Sequence, residues 1–362
     1  MSSSARTRRV FLHIGAPMAG AAFLRDSLAR HRRRLTRFGV LYPASHLGHD
    51  GGHQDAVLDV LDLAGTDLAP SSGAWDRLAE TARDWRRGTV VVSHELLSDA
   101  TATQVQRVVS SFGKTEVHVV YAARGLGLQV PLAWQEWVRN GGTASFEAYA
   151  NRVVTRDSHR MARVFWASHD IGAVLARWSA SVPAERMHVL TVPTGPDQDA
   201  VLWDRFARTL GIDPRRFKVG GDERRNLLGL AENEVLRLLN VESGSQVRAD
   251  ALERVRRTLA AGSDATPALP VVHAGWLRDE TDRQVAAIKD GGYDVVGDVN
   301  DLIPGADVCA TDDAQVTPEV ERVVAAQTHA LADLARVLET PKGPVGLRRR
   351  ALHQVRSRPT RR

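Results

Sequence analysis

One cysteine, Cys309, occurs in 362 residues. That excludes a disulfide within the chain and a zinc cage built on cysteines, and it makes a reducing cytoplasm the expected setting. Lysine is almost missing. It occurs only at Lys114, Lys218, Lys289 and Lys342, so the net charge of +5 is an arginine charge. No apolar run approaches the roughly 20 residues that cross a bilayer. The longest, such as 117–123, are strand-sized. The basic start MSSSARTRR is not followed by an apolar stretch of secretory type, so no signal peptide is expected. There is no Ser-His-Asp order with a nucleophile elbow. There is no helix–turn–helix or zinc finger either, so specific nucleic-acid recognition is not expected.

What is present is an ordinary globular composition, 43% hydrophobic and 25% charged. Mostly apolar runs at 9–14, 89–93 ("TVVVS"), 116–124 ("EVHVVYAAR") and in "RMHVLTVP" suit parallel strands buried on both faces. "FGVLYP" reads as a short strand ending at Pro43, and "GGYDVVGD" as a late one. Helical periodicity marks 21–37, 55–64, 74–85, 101–112, 126–139, 145–154, 169–180, 200–210, 228–240, 249–259, 275–289 and 317–338. Strands alternating with helices predict βαβ units. The expected fold is α/β: a P-loop-NTPase-like three-layer domain over 9–340, with a central parallel sheet and a helical C-terminal portion. A disordered start (1–8) and a basic tail (341–362) flank it. The last stretch, GLRRRALHQVRSRPTRR, holds seven arginines and no acid. Such a tail suits a polyanion or an anionic membrane face, and equally a solvated end.

The segment VFLHIGAPMAGAAFL (10–24) has the layout of a phosphate cradle: strand, turn bounded by Gly15 and Gly20, then helix. The turn has no lysine and no hydroxyl, and the strict ATP-binding pattern does not fit. Backbone N–H groups of the loop and the start of the helix remain able to receive an anion. Just past the strand at 89–93, "SHELL" places His94 and Glu95 at the edge where open α/β sheets bind ligands. Either side chain suits a general base. For Glu95, a helix cap or an arginine partner is the alternative.

The ordered words VFLHIGAPMAGAAFL, GVLYP, VVVSHELL, EVHVVYAARGLGLQVPLAWQE, RWSASVPAERMHVLTVP, LLGLAENEVLRLLN and GGYDVVGDVNDLIP closely resemble bacterial, mainly actinobacterial, sulfotransferase-like proteins, over roughly 9–305. The resemblance implies 3′-phosphoadenosine-5′-phosphosulfate (PAPS) as donor and a hydroxyl on a small molecule, glycan or lipid as acceptor. It implies no metal. The loop of that family usually reads Pro-Lys-Thr-Gly-Thr-Thr. Here the positions are Pro17, Met18, Ala19, Gly20, Ala21 and Ala22, so the lysine and all three threonines are replaced. The family's arginine for the 3′-phosphate matches Arg124. Its serine partner eight residues on is Leu132. The family's His or Glu base matches His94 or Glu95. The donor-binding set implied is therefore Gly15, Pro17, Met18, Ala19, Gly20, Ala21, Ala22 and Arg124. Methionine and alanine supply no charge and no donor. Losing one such group costs on the order of 10²–10³ in rate, so a catalytically impaired pseudoenzyme is the alternative expectation.

Other constellations invite blander readings. His46, His49 and His53 have metal-ligand chemistry, but no structural period puts them on one face. Asp55 and Asp59, at helical i, i+4 spacing, read as a solvated face. Trp134 and Trp137 read as core. Asp294, Asp298 and Asp301 suit Mg²⁺ or turn formation equally.

Overall fold

A computed structural model describes residues 8–43, 52–63, 73–86, 88–220, 228–243, 259, 268–305, 309, 318 and 322–327. His46, His49 and the tail at 341–362 lie outside the described residues, as does the helix expected at 249–259 except for Leu259, which is helical. Of the helix expected at 317–338, residues 318 and 322–327 are described, and 322–327 are helical.

Six strands form one sheet in the order β2-β3-β1-β4-β5-β6, and every neighbouring pair is parallel. They are β1 (Arg9–His13), β2 (Val40–Leu41), β3 (Thr89–Ser93), β4 (Glu116–Arg124), β5 (Met187–Val192) and β6 (Asp294–Val296). The α/β architecture expected from the sequence is the one observed. The central strands are buried along almost their whole length, which is why they read as continuous apolar runs.

Several polar side chains in this core are paired with one another. On one face Glu116 Oε1 meets His118 Nε2 at 2.7 Å, and His118 Nδ1 meets His188 Nε2 at 2.9 Å. His188 Nδ1 in turn meets Asp294 Oδ2 at 2.6 Å, so the chain ties β4, β5 and β6 together. The ring of Phe11 stacks on His118 at 4.5 Å.

The first half of the chain supplies α1 (Ala21–Arg37), α2 (His53–Val60), α3 (Ala74–Asp84) and α4 (Ala102–Ser110). In α1 the apolar side chains Phe23, Leu24, Leu28 and Leu35 are buried, while Arg34 and Arg37 sit in the last turn, where a cation complements the helix dipole. A capping box between Thr101 and Gln104 starts α4. Asp59 is not a solvated face. Its carboxylate accepts the N–H groups of Gly73 and Trp75 and fastens the start of α3.

Beyond β4 come α5 (Leu126–Arg139), α6 (Phe146–Thr155), α7 (Arg160–His169), α8 (Ile171–Ser179), α9 (Gln198–Thr209), α10 (Leu230–Ser243) and α11 (Ala274–Asp290). The single helix expected at 169–180 begins instead at Ile171 and is preceded by α7. Asp170 separates the two, because its Oδ1 accepts the Ala173 N–H and caps α8. A second apolar cluster, including Trp134, Phe146, Phe165 and Leu277, joins α5, α6, α7 and α11. Trp134 is core, as its spacing predicts. Among the described residues no helix is long and apolar enough to cross a membrane.

Candidate functional site

The sheet order fixes where a ligand would enter. β1 lies between β3 and β4. The chain leaves β1 toward β2 on one side and leaves β4 toward β5 on the other, so the topological switch point, where open α/β sheets take ligands, falls at the C-terminal ends of β1 and β4. The loop Gly15–Gly20 follows β1, Arg124 ends β4, and His94 and Glu95 follow β3. The candidate residues thus follow three adjacent strands.

The loop begins as an extension of the sheet. Ile14 N–H and Ala16 N–H donate to Val120 O and Ala122 O, both at 2.9 Å, and Ala122 N–H donates back to Gly15 O at 2.6 Å. It then turns, and Ala19 N–H donates to Ala16 O at 3.2 Å. Met18 holds a left-handed backbone (φ 58°) and is half-buried with Pro17, while Ala19, Gly20 and Ala21 are buried and Ala22 is exposed. Gly20 is required here. Its φ is +87°, and a Cβ on it would lie 2.2 Å from Leu202 Cδ2 of α9. The first helical bond of α1 is Leu24 N–H to Gly20 O at 3.0 Å, so the amides of Ala21 and Ala22 have no intrahelical acceptor.

Below the loop lies a polar clasp that sequence reasoning missed. Gln129 Nε2, in the first turns of α5, donates to Pro17 O at 2.7 Å and to His169 Nε2 at 2.8 Å. His169 Nδ1 lies 2.8 Å from Phe165 O, and this assigns the proton to Nδ1 and the acceptor lone pair to Nε2. Burial is the largest influence on His169 and lowers its pKa from 6.5 to about 4, so the ring is neutral and the clasp holds. Gln129 Oε1 is buried without a partner.

On the other side, Glu95 forms an ion pair with Arg25 of α1, and their side chains are 23% and 20% exposed. The arginine-partner alternative for Glu95 is therefore realised. Burial works to raise the Glu95 carboxyl, but Arg25 and then His94 outweigh it and hold it below the usual carboxylate range. Glu95 O lies 3.4 Å from where a Cβ on Gly15 would be, so this turn touches the loop. His94 is buried, and its Nδ1 accepts the Leu96 N–H at 3.3 Å, capping the 3₁₀ turn Glu95–Asp99. His13 is fully buried at the end of β1, with Nδ1 2.7 Å from Ser93 Oγ and Nε2 without a partner. Burial lowers its pKa to about 4.

No protein-family model matches the chain, and no curated protein matches it. One solved structure is similar. It is a sulfotransferase from Alicyclobacillus acidocaldarius, 15% identical over 69% of this chain and 100% of its own, with a TM-score of 0.39. The α/β fold stands on the sheet order described above.

The backbone and charges at this edge of the sheet suit an anion. Amides of the first turn of α1 and the buried positive charge of Arg124 lie here. The side chains of Met18, Ala19, Ala21 and Ala22 add no donor and no charge. The remaining sequence candidates among the described residues are structural. His53 begins α2 and is buried, 3.1 Å from Pro43 O through Nε2 and accepting the Ser93 N–H through Nδ1. Asp301 pairs with Arg205 and Thr191, and Asp298 caps the turn that follows β6. Among the described residues no group of three or more His, Cys, Asp or Glu side chains is placed to hold a metal ion. Arg25, Gln129 and His169 carried no sequence signal. Arg25 is one of many arginines, and the other two meet the loop only through tertiary packing.

Proposed function

We propose that this chain is a sulfotransferase-like protein whose Gly15–Ala22 loop takes up PAPS or its product. The observation that carries the reading is the convergence of a helix-opening loop, a buried arginine and a carboxylate on the ends of three adjacent strands. In the reaction, backbone amides at the start of α1 would face the phosphosulfate, and Arg124 the 3′-phosphate. Glu95 would accept the proton of the attacking hydroxyl as the sulfuryl group passes from the nucleotide oxygen to the acceptor oxygen. His94 is the weaker candidate, because one ring nitrogen already caps the 3₁₀ turn. The acceptor would be a small molecule, glycan or lipid bearing a hydroxyl. A nucleotide donor and a lone cysteine both fit the cytoplasm.

A second reading, donor binding with little turnover, has its own support. Four loop side chains offer no hydrogen-bond donor, the Ala19 N–H is spent inside the loop, and Glu95 is held by Arg25. Calorimetric titration with adenosine 3′,5′-bisphosphate tests both readings. Binding in the micromolar range is expected. No heat and no thermal shift at millimolar nucleotide would end them. Turnover separates the two. Met18→Lys with Ala22→Thr should raise it if the pocket is open, since position 22 is exposed and accepts the added atoms.

A further inference from the structure

The geometry points to Arg25 as the cation that meets a phosphoryl or sulfuryl oxygen beside the Gly15–Gly20 loop, with Glu95 as the resident counter-ion that such an anion displaces. This deepens the reading of the loop as an anion cradle and rests on it. The loop itself carries no positive side chain, yet a transferring sulfuryl or phosphoryl group needs charge compensation. Arg25 is the fifth residue of α1, in the second turn behind the helix-opening amides, and its side chain is 20% exposed. It reaches across to Glu95, whose own carbonyl oxygen abuts Gly15. An arginine has five N–H donors, and the ion pair leaves several of them for a ligand.

A second feature also marks this corner. His13, the residue two before Gly15, is fully buried, and its Nε2 has no partner. Its Nδ1 lies 2.7 Å from Ser93 Oγ, two residues before Glu95, so it belongs to the same corner. Buried polar atoms are normally paired, and one left open beside an ion pair is what a ligand oxygen would complete. In the tautomer in which Nδ1 accepts from Ser93 Oγ–H, the Nε2–H is the donor left for that oxygen.

The exchange couples binding to reactivity. While Arg25 holds Glu95, the carboxylate is too weak a base to take a hydroxyl proton effectively. An anion that draws the guanidinium away removes the largest lowering influence on Glu95, and burial then raises its carboxyl. The base is armed only when the donor is in place.

The test is calorimetric titration of inorganic pyrophosphate and of adenosine 3′,5′-bisphosphate into the full chain and its Glu95→Gln, Arg25→Gln and Arg25→Lys variants. Glu95→Gln removes the competitor and should tighten pyrophosphate about three- to tenfold. Arg25→Gln should weaken both ligands about tenfold or more, and Arg25→Lys should recover part of the loss. Circular dichroism keeps folded variants apart from unfolded ones, and Glu95→Gln, which retains the size and an acceptor oxygen, carries the decision if Arg25→Gln does not fold. Unchanged or weaker pyrophosphate binding in Glu95→Gln overturns the proposal. So does wild-type affinity in Arg25→Gln; nucleotide bound equally by all variants would leave the cradle reading standing without Arg25. Pyrophosphate responding as expected while the nucleotide does not bind keeps the exchange and ends the PAPS reading. No binding of either anion by any variant overturns both.

Discussion

Replacing Gln129 by leucine tests whether the loop is held from below. The side chain is 2% exposed and makes two bonds, to Pro17 O and to His169 Nε2. Leucine keeps the bulk and removes both. His169 is 6% exposed, so its lone pair is left dry, at about 1–3 kcal/mol. Pro17 is half-buried, so water reaches its carbonyl and the second loss is smaller, about 0.5–1 kcal/mol. Against these, leucine removes the buried unpartnered Oε1 of Gln129, which returns about 1 kcal/mol. The expected net loss is about 0.5–3 kcal/mol, read from urea midpoints by tryptophan fluorescence. His169→Leu alone should cost a similar amount, and the double variant less than the sum, because the two act on one clasp. Hydrogen exchange should also quicken at Ala19 and Gly20 before the sheet opens. Additive losses, or a Gln129→Leu cost under about 0.5 kcal/mol, would refute the clasp as a support of the loop.

Gly20→Ala combines a left-handed backbone with a collision against the buried Leu202 and should cost about 2–4 kcal/mol in the same urea assay. His13 and His169 are both lowered from 6.5 to about 4, so at these two sites the unfolded chain binds up to two more protons between those values. Their contribution to stability should therefore be full above pH 6.5 and fall as the pH drops toward 4, opposed in part by Asp99, whose carboxyl burial raises to about 6. His13→Asn, which keeps a partner for Ser93 but does not titrate, should roughly halve that slope; an unchanged slope would contradict the buried neutral assignment. Thr101→Ala removes the capping box of α4 and should cost about 1 kcal/mol with no change in anion binding.

Much of the fold was legible because the strands are buried on both faces. "EVHVVYAAR" is β4 in full, and "TVVVS" is β3. Amphipathic helices such as α1 and α5 end where their patterns end. Helix α7 was not legible. Its buried Met161, Ala162, Phe165 and Trp166 are interleaved with arginines in a stretch that reads as a polar loop, and its start is capped by a histidine, His159. The loop, Arg124, His94 and Glu95 were visible as positions after strands. What holds them was not, because Gln129, His169 and Arg25 act across 112, 152 and 70 residues of sequence. Asp59 shows the same limit. Helical spacing with Asp55 suggests an exposed pair, while its true role is to fasten the next helix.

His13 pairs in register with Ser93 on one side and Val120 on the other, and the bond between His13 and Ser93 locks the first of these pairings. Strands can shift only by whole residues, about 3.3 Å at a time, and a single step turns every side chain to the opposite face. The offset between the glycine loop and the carboxylate after the neighbouring strand therefore comes in coarse notches. Any fine adjustment of that gap, by natural drift or by a protein engineer, has to be made in the turns and the opening helix, because the sheet has no small increments to give.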